Sequence, residues 1–105
     1  MITAILFAAT AIFATQIHAE AFQPVICDAM ENMTYQISMA RMNGAPLAQT
    51  MTIVDTSSGD PAVSELIRQI ILGAYALPIM MTDKNKASVS TEYAAKVALM
   101  CYNAK

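Results

Sequence analysis

Charge is missing from the start of this 105-residue chain: none of its first nineteen residues is Asp, Glu, Lys or Arg. Histidine is nearly missing too, because the single one, His18, lies inside that uncharged stretch. Beyond it no imidazole remains to activate a serine or cysteine nucleophile, and no ordinary general base titrates near neutrality. No Ser-x-x-Lys arrangement takes its place. Positive charge is sparse and scattered over Arg41, Arg68, Lys84, Lys86, Lys96 and Lys105. That leaves no basic stripe to neutralise the phosphates of a nucleic acid and no cluster to hold the chain on anionic lipid. Internal repeats and low-complexity segments are absent. These absences predict a protein that is not an enzyme, has no catalytic, cofactor-binding or metal-binding residues, and has no nucleic acid partner.

What fills the uncharged start is an apolar run from Ile2 to Phe13, followed by Ala19-Glu20-Ala21. The run has the length of a signal-peptide core and falls short of the roughly 20 residues that span a bilayer. Small residues at Ala19 and Ala21 suit a signal peptidase, so cleavage is expected after one of them. The domain plan is then a signal peptide over residues 1–21 and a single helical domain over 22–105. An n-region lysine or arginine is lacking, and an uncleaved N-terminal membrane anchor is the alternative; only in that case does the chain meet a membrane. A lipid-modified cysteine is not expected, because Ile26 precedes Cys27 where a small residue is required. All fourteen charged residues follow Ala19, so a cut there leaves the net charge of −2 unchanged.

Export to the periplasm or the cell exterior changes the meaning of the two cysteines, Cys27 and Cys101. In an oxidising compartment a pair in a small domain forms a disulfide, and two cysteines allow one connectivity. The bridge would close a loop of 74 residues (101 − 27), an entropic restraint on the unfolded chain of roughly 4 kcal/mol. Domains this small often need such a staple. A free Cys27 at a helix start would instead be a reactive thiol.

Apolar spacing predicts four helices and an all-α bundle whose first and last members the disulfide joins. Cys27, Met30, Met33, Ile37 and Ala40 share a face of a first helix, from near Cys27 to a stop at Asn43-Gly44. Ala45 to Val54 forms a second, with Pro46 in its first turn; its β-branched run leaves a short strand as the other reading. Asp60-Pro61 caps a third, in which Val63, Leu66, Ile67, Ile70, Ile71 and Ala74 follow the helical repeat until Pro78 stops it. Gly73, inside that helix, is explained by the close approach of another element. The polar stretch Thr82 to Ser88 is expected as a loop. Ser90 or Thr91 then caps a last helix carrying Tyr93, Val97 and Cys101 on one face.

Nine methionines are a high number, and eight of them follow the signal. Thioethers are soft ligands for Cu(I), and Met30-x-x-Met33 and Met39-x-x-Met42 recur at one helical turn. A methionine-based Cu(I)-binding protein is therefore an alternative reading. Packing of an irregular core is the plainer use of the same residues. Exposed methionines among Met39, Met42, Met80 and Met81 would form an adaptable apolar patch for a partner. Paired carboxylates, Asp28 with Glu31 and Asp55 with Asp60, read as helix-dipole complement and capping.

Four pieces of the chain also carry a resemblance: Cys27, the stretch Arg41-Met42-Asn43-Gly44-Ala45-Pro46-Leu47, Tyr75-Ala76-Leu77-Pro78, and Cys101. The layout resembles small uncharacterised exported two-cysteine proteins of bacteria and their phages. The resemblance implies an exported helical bundle and adds no activity. The functional expectation is a small non-catalytic helical protein that binds another protein or an envelope component.

Overall fold

The computed structural model describes residues 12–56 and 59–104, with side chains from Val25 onward. The apolar run Ile2–Phe13 thus lies almost wholly outside the described residues. The described residues form four helices and no strand: α1 (Ile12–Met42), α2 (Leu47–Thr56), α3 (Pro61–Tyr75) and α4 (Asp83–Asn103). The all-α bundle expected from apolar spacing is what forms, and α1 packs most extensively against α4.

Three boundaries differ from expectation. First, α1 begins at Ile12 and not near Cys27, running through Pro24; a proline inside a helix forfeits one hydrogen bond without necessarily ending it. Asp28 and Glu31 therefore lie mid-helix here and do not complement a helix start. Second, Pro46 stands before α2, its carbonyl accepting from the Gln49 and Thr50 amides at 3.1 and 3.2 Å; α2 is a helix despite its β-branched run. Third, Thr82 to Ser88 is not a loop. Thr82 is the N-cap of α4, its hydroxyl accepting from the Asn85 amide at 3.1 Å, and the polar residues after it are the solvated first turns of the helix. Ser90, expected as a cap, is fully buried in its interior.

The remaining caps follow their residues. Asp60 accepts from the Ala62 amide at 2.9 Å and Pro61 opens α3. At the end of α1, Gly44 adopts a positive φ of 91°. There the Ala45 amide donates to Ala40 and the Gly44 amide to Arg41, which satisfies carbonyls that the helix end would otherwise leave open.

α1 buries two rows. Cys27, Thr34 and Ser38 are fully buried and mark the side towards α4, where Ser90 donates to Ser38 at 2.8 Å. Thr34 turns its hydroxyl back to the Met30 carbonyl at 2.6 Å. Small residues on α4, Ser90, Ala94 and Ala98, are buried in the same helix, so α1 and α4 meet through short side chains. The second row, Met30, Met33 and Ile37, joins Ile67, Ile70, Ile71, Ala74 and Val97 in the hydrophobic core. Each fully buried isoleucine there contributes roughly 1.5–3 kcal/mol.

Candidate functional site

The Cys27–Cys101 disulfide forms between α1 and α4, with an S–S distance of 2.04 Å and Cα atoms 5.6 Å apart. Cys27 is fully buried and Cys101 half-buried, so no free thiol is present at this helix. At the next residue of α4, the Tyr102 hydroxyl donates to an Asp28 carboxylate oxygen at 2.7 Å. That hydrogen bond, some burial, and repulsion from the Asp28 and Glu31 carboxylates hold the Tyr102 phenol above its ordinary range. Asp28 therefore braces the disulfide end of the bundle, and Asp60 caps α3.

A second brace holds the opposite end. Arg41, near the end of α1, donates through Nε and an Nη to the Leu77 carbonyl at 3.4 and 3.2 Å. Its guanidinium also lies over the Tyr75 ring, 5.3 Å from the centroid. The Tyr75 hydroxyl donates its only proton to the Ala45 carbonyl at 2.7 Å. Thr50 must then be the donor in its 2.7 Å hydrogen bond to the same oxygen. Two stretches that the sequence keeps thirty residues apart, Arg41 to Leu47 and Tyr75 to Pro78, thus close on each other.

Between the two braces the bundle is open. Val63 and Leu66 continue the apolar face of α3, but the core covers only Ile67, Ile70, Ile71 and Ala74 of that face. The uncovered part opens into a groove of about 420 Å³ lined by Met30 of α1, Leu66 of α3, and Tyr93 and Met100 of α4, together with the buried core residues Ile70 and Val97. Met30 and Leu66 also belong to an adjoining hollow of about 250 Å³ that reaches Ile26, Met33 and Val63. Nearly all of the lining is apolar. Lys96 and Gln69 are the polar side chains at its edge, and Cys101 brings the disulfide to one end.

Tyr93 forms part of the groove wall and is pinned across α3, its hydroxyl donating to the Ile70 carbonyl at 2.7 Å. A Cβ at Gly73 would overlap that hydroxyl. The close approach expected at this glycine is therefore made by the tip of a tyrosine side chain. Burial raises the Tyr93 phenol above its ordinary value. On α3 itself Glu65 accepts from Gln69 at 2.8 Å and from Arg68 at 3.2 Å. The Gln69 hydrogen bond, opposed by desolvation and aided by the nearby Arg68, holds its carboxyl below the usual range.

The methionines divide. Met30 and Met33 are half-buried against the core and also face the groove. Met42, expected on a different and potentially exposed face, is 2% exposed, and its sulfur accepts the Met80 amide at 3.4 Å. An exposed patch containing Met42 does not form; α1 buries both of its rows, which the spacing of its first row did not reveal. Met81 is 90% and Met100 67% exposed. Among the described residues no group of three or more His, Cys, Asp or Glu is placed to hold a metal ion, and no helix is long and apolar enough to cross a membrane.

The fold and groove define the class: a small all-α protein, tied end to end by one disulfide, with an apolar groove between three helices. Beyond the class, the chain matches no family model, no curated protein and no solved structure. Sequence reasoning assigned Met30, Leu66, Ile70 and Val97 to apolar faces without separating the covered from the uncovered part. It placed Tyr93 on the apolar face of the last helix but missed Lys96, the Arg41–Tyr75 contact and the hydrogen bond from Tyr93 to Ile70, although the glycine at position 73 was a usable signal for the last.

Proposed function

We propose that this protein is exported to an oxidising compartment, the periplasm or the cell exterior, and there binds another protein or an envelope component without catalysing a reaction. The open groove walled by Met30, Leu66, Ile70, Tyr93 and Met100 carries this reading. Folding normally hides apolar surface, and a concave apolar site with a few polar groups at its edge is the usual form of a binding site. The Cys27–Cys101 disulfide supports the compartment.

Pro24 supports the processing. Inside α1 it lacks the N–H that would reach the carbonyl four residues earlier. Cleavage after Ala19 or Ala21 would bring it within the first five residues of the shortened helix. There most N–H groups have no helical acceptor in any case.

The test combines two measurements on natively expressed protein. Intact mass after thiol alkylation without reduction is expected to lack residues up to Ala19 or Ala21 and to carry no alkyl group. A photo-crosslinking side chain at position 100, in the groove, is expected to capture an envelope component that the same group at Thr91, exposed elsewhere on α4, does not. Alkylated cysteines on an intact Met1 end would refute the export; equal capture at the two positions would refute the groove as the binding surface.

A further inference from the structure

The groove is small and almost wholly apolar, and that restricts what it can hold. An extended peptide would leave its backbone N–H and C=O groups unpaired against walls that present almost no polar atoms. A helical partner satisfies its own backbone, but at about 10 Å across a single turn of it already takes up about as much space as the whole hollow of about 420 Å³. A hydrocarbon chain has no polar groups to satisfy and fits within that volume. The adjoining hollow beyond Met30 and Leu66, also almost purely apolar, extends the path along α1 and α3 past Met33 and Val63.

One charge marks one edge of this path. Among the described residues Lys96 is the only cationic one lining the groove, and it makes no ion pair with any of them. Arg68, on α3, is occupied by Glu65, which Gln69 holds as well. The Tyr93 hydroxyl is committed to the Ile70 carbonyl. An amphiphile entering the groove therefore finds apolar walls for its tail and a single free ammonium for its head.

We propose that the groove binds a single-chain fatty carboxylate, with its tail along Met30, Leu66, Ile70 and Val97 and its carboxylate at the Lys96 ammonium. This rests on the reading of the groove as the binding surface and names its occupant. A volume of about 420 Å³ stands near the lower end of small-ligand sites, which run from about 300 to 1,000 Å³. It suits one acyl chain and not the two of a phospholipid.

The probes are dodecanoate and dodecyltrimethylammonium, the same tail with opposite charge. Each is titrated below its micelle-forming concentration into the natively exported, disulfide-bonded protein and followed by calorimetry. The expected result is saturable one-to-one binding of dodecanoate, with dodecyltrimethylammonium about fivefold weaker or more, the size of one exposed charge pair. Lys96→Glu should weaken dodecanoate by at least that factor and cancel the preference. Leu66→Asp, which sets a carboxylate in the groove wall, should abolish binding of both. Both positions are exposed, and helicity at 222 nm verifies that each variant folds.

Absence of saturable dodecanoate binding would overturn the proposal, and so would binding indifferent to both substitutions. A concentration-dependent dimer that dodecanoate does not dissociate but Leu66→Asp does would assign the groove to a second copy. Diacyl phosphatidylglycerol vesicles that compete fully with dodecanoate would move the site to a membrane lipid and likewise overturn it. If dodecanoate fails while the position-100 crosslink persists, the fatty-acid assignment falls and the binding function stands.

Discussion

Replacing Gly73 by alanine sets two physical effects of opposite sign against each other. In a helix interior the exchange is intrinsically favourable by about 1 kcal/mol. In this helix the new methyl group would overlap the Tyr93 hydroxyl and lie 3.1 Å from Cζ of the ring. The ring must then move, and its hydroxyl leaves the Ile70 carbonyl. A half-buried donor without its partner costs about 1–3 kcal/mol, and crowding a packed site costs about 1–3 kcal/mol more. The sum predicts a net loss of about 1–5 kcal/mol, measured by urea unfolding of the oxidised protein at 222 nm. Tyr93→Phe removes the oxygen that collides first, so Gly73→Ala in that background should be neutral or stabilising by up to about 1 kcal/mol. The double-mutant cycle isolates the contact as a coupling of at least about 1 kcal/mol. If Gly73→Ala stabilises the wild-type background, Tyr93 does not cross α3 at this glycine, and the groove wall has been misassigned.

Other consequences follow from the same contacts. Cys27→Ala with Cys101→Ala should lower stability by roughly 4 kcal/mol through the 74-residue loop, read as a lower urea midpoint that matches the reduced wild type. Ser90→Ala leaves the buried Ser38 hydroxyl without its partner and should cost about 1–3 kcal/mol; the Ser38→Ala, Ser90→Ala pair should cost less than the two single changes added. Stability should also fall more steeply in wild type than in Tyr93→Phe once the pH exceeds the ordinary phenol value of 10.0. The folded state holds that proton more tightly, so above pH 10 the unfolded chain binds fewer protons and unfolding becomes easier as pH rises through the folded pKa. Below pH 10 the two proteins should show the same dependence, and unfolding midpoints measured from pH 8 to 11 check both statements.

Helix periodicity carried most of the architecture because it is a local property. Ile67, Ile70, Ile71 and Ala74 mark one face of α3 by spacing alone, and all four are buried. Asp60-Pro61 and Asn43-Gly44 are likewise local signals, set by which backbone groups a side chain or a bare Cα can serve. Where polarity served as a proxy for irregular structure it failed. Asp83, Lys84, Asn85 and Lys86 form the exposed start of α4, and the signal that outranked their polarity was Thr82 three residues before Asn85. The groove was invisible for a different reason. Val63 and Leu66 satisfy the same repeat as Ile67 and Ile70, and only the packing angle of three helices decides which part of a continuous apolar face goes uncovered.

That packing explains why an apolar groove persists in so small a domain. Uncovered apolar surface favours collapse, and helices free to slide together would close it. Here the walls are pinned at both ends. Cys27–Cys101 and the Tyr102–Asp28 hydrogen bond hold α1 to α4 at one end. At the other, Arg41 and Tyr75 tie the end of α1 to the end of α3. Between them the Tyr93 ring spans from α4 to the α3 backbone and sets their separation through the Ile70 carbonyl. Closing the groove against the Tyr93 or Tyr75 contact would leave a half-buried polar group without its partner, at about 1–3 kcal/mol. The polar contacts that spacing could not reveal are therefore the ones that hold the apolar groove open.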